Sequence, residues 1–135
     1  MIDKIDHIGI AVHSIEQAEK FYRDVLGLQP EKGEEIVSQG VRTAFFTVGE
    51  VRIELLEPIN DRSPVARFLA KRGEGIHHIA YATDDIEAQL KIAGEHGCRL
   101  IHTQPVTGGG GKSVAFVHPA ACFGVLTEFC QKPNG

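Results

Sequence analysis

The sequence predicts an α+β fold built from two tandem β-α-β-β-β modules, and three observations carry that prediction. The phrase Asp6-His7-Ile8-Gly9-Ile10-Ala11-Val12 returns in the second half as Gly75-Ile76-His77-His78-Ile79-Ala80-Tyr81. Each copy is followed eight residues after its histidine by an isoleucine–glutamate pair, Ile15-Glu16 and Ile86-Glu87, and then by a glycine, Gly27 and Gly97. Each half closes on a strand-like stretch with an acid between apolar or β-branched neighbours, Ile53-Glu54-Leu55 and Thr127-Glu128-Phe129. Glu54 stands 47 residues after His7, and Glu128 stands 50 after His78. Self-similarity at such a period is the mark of a duplicated structural unit.

In the first half, Ile5 to Val12 is a short apolar, β-branched strand. Ser14 stands where a helix N-cap belongs, and Gln17 completes a capping-box pattern. Ile15, Ala18, Phe21, Tyr22, Val25 and Leu26 recur at helical spacing and predict one apolar face. Gly27 is the expected stop. Gln29 to Glu35 is polar, with Pro30 and Gly33, and reads as a loop or frayed strand. Val41 to Val48 and Val51 to Leu56 read as strands joined at Gly49-Glu50. Ser63 and Pro64 open a short helix to about Lys71, since a proline in the first turn sacrifices no hydrogen bond.

The second half repeats the order. Ile76 to Thr83 is a strand, and Asp84 or Asp85 caps a helix to about Glu95 that Gly97 closes. Arg99 to Thr103 is extended, and Val106 to Lys112 is a glycine-rich loop. Ser113 to His118 and Val125 to Gln131 are strands separated by a turn at Pro119 to Gly124. The expected organisation is one domain over residues 1–135, with module 1 at about 1–58, a linker helix at about 63–72 and module 2 at about 75–133.

Composition narrows the function classes. Of 135 residues, 42% are hydrophobic and 24% charged, as in ordinary globular chains. A net charge of −4 offers no basic stripe for nucleic acid. Apolar runs are strand-sized and none is long enough for a membrane helix. Met1 to Asp6 lacks the apolar core of a secretory signal. Cys98, Cys122 and Cys130 form no CxxC pair, which argues against a disulfide framework or a thiolate zinc site and for reduced thiols in the cytoplasm.

A single strand glutamate usually faces solvent, and a single strand histidine is as often a satisfied core residue as a ligand. The reading changes when His7, Glu54, His78 and Glu128 are taken together, because they recur at matching positions of two repeats. Side chains alternate along a strand, so Glu54 shares a face with Arg52 and Leu56. If the modules pack as a curved mixed sheet around a cleft, the four converge. Imidazole nitrogen and carboxylate oxygen suit a divalent first-row ion such as Co²⁺, Ni²⁺, Mn²⁺ or Zn²⁺. Gly108-Gly109-Gly110-Gly111-Lys112-Ser113 is not a P-loop, since the first glycine is misplaced and a strand follows. It reads as a flexible loop over the cleft.

Paired modules carrying His…Glu…His…Glu resemble the vicinal oxygen chelate, or glyoxalase, superfamily, and within it most closely the methylmalonyl-CoA epimerases. The resemblance covers nearly the whole chain. Beyond the two histidine phrases, it is carried by Phe21-Tyr22 with Leu26-Gly27-Leu28, Glu54-Leu55-Leu56-Glu57-Pro58, Ser63-Pro64-Val65-Ala66-Arg67-Phe68-Leu69, Gly73-Glu74-Gly75, and His118-Pro119 with Gly124-Val125-Leu126. It implies a metal held by His7, Glu54, His78 and Glu128, with Co²⁺ foremost, and with His78 rather than His77 as the ligand. It implies an acyl-CoA substrate, abstraction of the C2 proton through a metal-stabilised enolate, and Glu128 as the base. Thr43 stands where some members carry a second acid/base glutamate, and Ala120 where a lysine is common. Two other readings stay open: a glyoxalase I-like lyase acting on a glutathione hemithioacetal, and a metal-free binding module of the superfamily. A homodimer is expected from the sheet edges of such a fold.

Overall fold

The computed structural model describes residues 1–133, so the last two positions of the expected domain lie outside the described residues. The chain divides into two compact units. One is His7–His77, and the other is Met1–Asp6 with the chain from His78 on.

In the first unit, β1 (Ile2–Ala11) leads from its His7 end into α1 (Ile15–Lys20), followed by β2 (Pro30–Glu31), β3 (Glu35–Ile36), β4 (Val41–Val48), β5 (Val51–Pro58) and α2 (Pro64–Arg72). β5 pairs with β1 in parallel and with β4 antiparallel, and β2 and β3 both add to the other edge of β4. The polar stretch from Gln29 to Glu35 is thus partly strand, held by β4 rather than by its own β-propensity. Ser14 caps α1 by accepting the Gln17 N–H at 3.2 Å. Ser63 caps α2 by accepting from Val65 at 3.1 Å.

The expected apolar face of the first helix is only half realised. Ile15, Ala18 and Tyr22 pack with Leu28 on Val12, Ala44, Phe46 and Leu55, but Phe21, Val25 and Leu26 are exposed. From Phe21 to Val25 the helix opens into a wide turn, closed by Leu26 N–H to Phe21 O at 3.1 Å. More than 3.6 residues then fill a turn, and the phase that aligned the six positions is lost. Gly27, at φ +70°, ends the segment as expected. α2 buries Val65 and Leu69 against Ala11, Val41 and Leu56, so the stretch expected as a linker helix belongs to this unit's core.

The second unit runs β6 (Gly75–Thr83, from His78), α3 (Ile86–Glu95), β7 (Val106–Thr107), β8 (Ser113–Val117) and β9 (Thr127–Gln131). β9 pairs with β6 in parallel and with β8 antiparallel, and β7 pairs with β8. The connectivity of the first unit therefore recurs. Of the two candidate caps, Asp85 is the cap of α3, accepting from Ala88 N–H at 3.1 Å. Ile86, Leu90 and Ala93 pack on Ala115, Val117 and Phe129. The segment from Arg99 to Thr103 forms only the single bridge of Leu100 to Val117. β9 starts two residues later than expected, because Gly124 and Val125 donate back into the preceding turn, to Pro119 O and Cys122 O. No helix among the described residues is long and apolar enough to cross a membrane.

The approach of the chain to β4 sets one sharp constraint. A Cβ added at Gly33 would lie 1.9 Å from Thr43 O, a backbone atom that cannot swing aside. Gly33→Ala is expected to lower unfolding stability by about 2 kcal/mol, in the range of overpacking substitutions. Urea denaturation checks this, and an unchanged midpoint would refute the close approach.

Candidate metal centre

Each unit builds one histidine–glutamate pair by the same backbone device. In the first unit, parallel pairing of β1 with β5 sets Gly9 opposite Glu54, so the glutamate partners the residue two beyond His7. In the second, β6 with β9 sets Ala80 opposite Glu128, again the residue two beyond the histidine. A two-residue offset keeps side chains on one face. His7 Nε2 and Glu54 Oε1 are 3.3 Å apart, and His78 Nε2 and Glu128 Oε1 are 3.2 Å apart. All four residues are buried, at 6%, 8%, 3% and 5% exposure respectively. The adjacent His77 turns elsewhere and sets its ring against Phe68 of α2, centroids 5.0 Å apart.

The donor set fits a divalent ion. Nitrogen and oxygen donors about 2.1 Å from a shared first-row ion stand about 3.0 Å apart at a right angle and about 3.4 Å apart at a tetrahedral one. The two observed separations fall inside that interval. Hard carboxylate and intermediate imidazole donors, without thiolate, suit Co²⁺, Ni²⁺, Mn²⁺ and Zn²⁺.

Two aromatic residues that the sequence reading missed complete the repeat. Phe45 is the antiparallel partner of Glu54, and Phe116 is the antiparallel partner of Glu128. Phe45 meets His7 edge-on at 6.4 Å, and Phe116 meets His78 edge-on at 5.4 Å. Both phenylalanines stand 38 residues after their histidine, and that equal spacing was the available signal. The difference of three residues between the two His–Glu spacings therefore lies wholly between the last two strands of each unit. There the Gly49-Glu50 turn has as its counterpart the longer connection containing the helical turn Pro119–Cys122.

The surroundings of the two rings differ. The Arg52 guanidinium lies 3.9 Å from the Phe45 centroid, whereas Phe116 is faced by the His102 ring at 5.8 Å. His102 Nδ1 accepts the Phe116 N–H at 3.0 Å, which gives this histidine a structural role. His118 Nδ1 likewise accepts from Ala120 N–H at 3.0 Å, tightening the turn.

Thr43 is buried, and its hydroxyl is engaged with one residue. It donates to Glu34 O at 3.2 Å and accepts from Glu34 N–H at 3.3 Å. In the second unit Asp6 is buried and ion-paired with Lys112 at 3.1 Å. The glycine-rich loop that ends at Lys112 is closed by Gly108 N–H to Lys112 O. Burial, reinforced by the Asp6 carboxylate, pushes the Cys130 thiol up to about 12. Lys71 and Arg72 are exposed at the end of α2.

Residues 6–116 match the model of the glyoxalase/bleomycin resistance protein/dioxygenase superfamily. The chain belongs to that superfamily. An uncharacterised protein, YqjC, of Bacillus subtilis is 43% identical over 99% of this chain and 95% of its own length. An ethylmalonyl-CoA/methylmalonyl-CoA epimerase of Cereibacter sphaeroides is 38% identical over 97% of this chain and 99% of its own. A methylmalonyl-CoA epimerase solved with methylmalonyl-CoA and NH4+ superposes with a TM-score of 0.94 at 38% identity, covering 98% of this chain and 96% of that one. The fold is thus the glyoxalase α+β fold, and within the superfamily the chain groups with the epimerases, which are isomerases.

The state of Cys130 is testable by alkylation. At pH 8 iodoacetamide should modify the half-buried Cys98 and Cys122 in the folded protein, and Cys130 only after denaturation, as read by peptide mass spectrometry. Rapid native labelling of Cys130 would contradict its burial.

Proposed function

We propose that the protein is a metal-dependent methylmalonyl-CoA epimerase, removing the proton at C2 and delivering a solvent-derived proton to the opposite face. The observation that carries this reading is the full-length similarity to epimerases named for that substrate, in a chain that keeps a buried His–Glu pair in each unit. His7, Glu54, His78 and Glu128 would together hold one divalent ion, with Co²⁺ preferred and Ni²⁺, Mn²⁺ or Zn²⁺ compatible with the same donors. When bound, such an ion supplies Lewis-acid stabilisation of the negative charge that develops on the thioester oxygen as the proton leaves.

The chain's own residues do the rest. The Glu128 carboxylate takes the C2 proton, held in position by β9 and by its short contact with His78. Phe45 and Phe116 wall their respective glutamates and limit water there, which strengthens local electrostatics. Thr43 does not itself supply the second proton transfer, because its hydroxyl hydrogen is directed at Glu34 O; a water on the opposite face gives a proton to C2, and the proton taken by Glu128 passes to the hydroxide so formed through solvent. The two modules work as one domain over residues 1–135, as a homodimer in the cytoplasm with reduced thiols. Three free cysteines accord with that compartment.

The test is deuterium exchange at C2 of methylmalonyl-CoA in D₂O, followed by NMR, with cobalt-loaded and EDTA-treated protein side by side. Exchange is expected only in the cobalt-loaded sample. With bound cobalt confirmed by absorption, Glu128→Gln should lower exchange by about 10²- to 10⁴-fold, the usual weight of a general base. Absence of exchange by cobalt-loaded wild type would overturn the epimerase reading. Full exchange by the variant would remove Glu128 from the base role.

A further inference from the structure

We propose that Arg52 is the specificity-determining residue that grips the free carboxylate of the substrate's malonyl group; this inference rests on the acyl-CoA reading above. Arg52 lies on β5 two residues before Glu54, and so on the same face, and its register partner on β1 is His7 itself. Its guanidinium carbon stands 3.9 Å from the centroid of the Phe45 ring, and Phe45 in turn abuts His7. One arm reaches Glu31, with Nη1 to Oε2 at 3.4 Å. Glu31 also accepts from the Thr47 hydroxyl, so its charge is shared between two donors.

These contacts fix the cation without using it up. A guanidinium carries five N–H donors in one plane, and among the described residues one of them has a side-chain acceptor. With its carbon over the Phe45 ring and one N–H directed to Glu31, the guanidinium has further N–H groups with which a planar fork can take a carboxylate through two parallel hydrogen bonds. The side chain is 31% exposed, so a ligand at the His7–Glu54 pair can reach it.

The charge is present in only one of the two repeats. The position two residues before Glu128 is Leu126, and the ring equivalent to Phe45 is covered by His102 instead. The Arg52 cation, beside the His7–Glu54 pair, draws the carboxylate end of a malonyl thioester to the first unit. If Arg52 served only as a surface ion pair with Glu31, its removal would change stability slightly and ligand choice not at all.

An oxyanion at Arg52 could come from the malonyl carboxylate or from the phosphates of CoA, and ligand choice separates the two. Binding of malonyl-CoA and of propionyl-CoA, which keeps the phosphates and lacks the carboxylate, is measured by calorimetry on cobalt-loaded wild type, R52Q and R52K. Wild type should prefer malonyl-CoA. R52Q should weaken malonyl-CoA binding by about 10- to 100-fold, the weight of charge-assisted hydrogen bonds. Its propionyl-CoA binding should change less than twofold, which also reports an intact fold. R52K should recover only part of the loss, since an ammonium lacks the planar fork. Equal weakening of both ligands would assign Arg52 to the phosphates, and no weakening would leave it a surface ion pair; either result overturns the proposal. Failure of wild type to bind either thioester would instead sink the acyl-CoA reading, and the role of Arg52 with it.

Discussion

The strand register that sets each glutamate opposite the residue two beyond its histidine is the constraint on which the rest of the site depends. It arises from parallel pairing, of β1 with β5 in one unit and of β6 with β9 in the other. Parallel strands need a crossover connection, and α1 and α3 with the strands that follow them supply it. A slip of one residue in either pair would turn the glutamate to the opposite face and separate it from its imidazole. The half-buried face of α1 and the buried face of α3 pack on the sheet whose register brings the nitrogen and oxygen atoms to 3.3 and 3.2 Å.

Antiparallel pairing adds the next layer. β4 and β8 deliver Phe45 and Phe116 directly across from the glutamates, and each ring then meets its histidine edge-on. Aromatic walls of this kind exclude water and orient the imidazole by contact rather than by charge. The duplication is faithful up to this point and then stops. Arg52 lies over one ring and His102 faces the other. His102 is locked by the Phe116 N–H, while among the described residues the Arg52 guanidinium has one side-chain acceptor, Glu31. Duplication thus accounts for the two His–Glu pairs, and divergence after it accounts for the difference in charge around them.

The interior chemistry of the second unit is quiet by comparison. Asp6 is neutralised by Lys112, and Cys130 beside it is held as a thiol by burial. Thr43, at the position where some epimerases resembled by the sequence carry glutamate, is part of the scaffold. Its backbone and hydroxyl both bind Glu34, and Gly33 packs against its carbonyl. The side chain at that position fastens the β3 segment to β4.

Most of the fold was legible in the sequence because it rests on local signals. The caps at Ser14 and Ser63, the stops at Gly27 and Gly97, and the strand alternation around Glu54 each act within a few residues. The equal offsets from His7 and His78 disclosed the duplication, since inheritance preserves spacing even where side chains change. What the sequence left open depends on contacts between residues far apart in the chain. The exposure of Phe21, Val25 and Leu26 follows from a wide turn that helical periodicity does not encode, and the strand character of Pro30–Glu31 comes from β4. The roles of Phe45, Arg52 and Thr43 depend on which atoms the sheet register brings opposite them. The sequence by itself determined the repeat and the kinds of donor atom, because those are properties of residues and their spacing. Only the tertiary structure decided the partners of each side chain, because register is a property of paired strands.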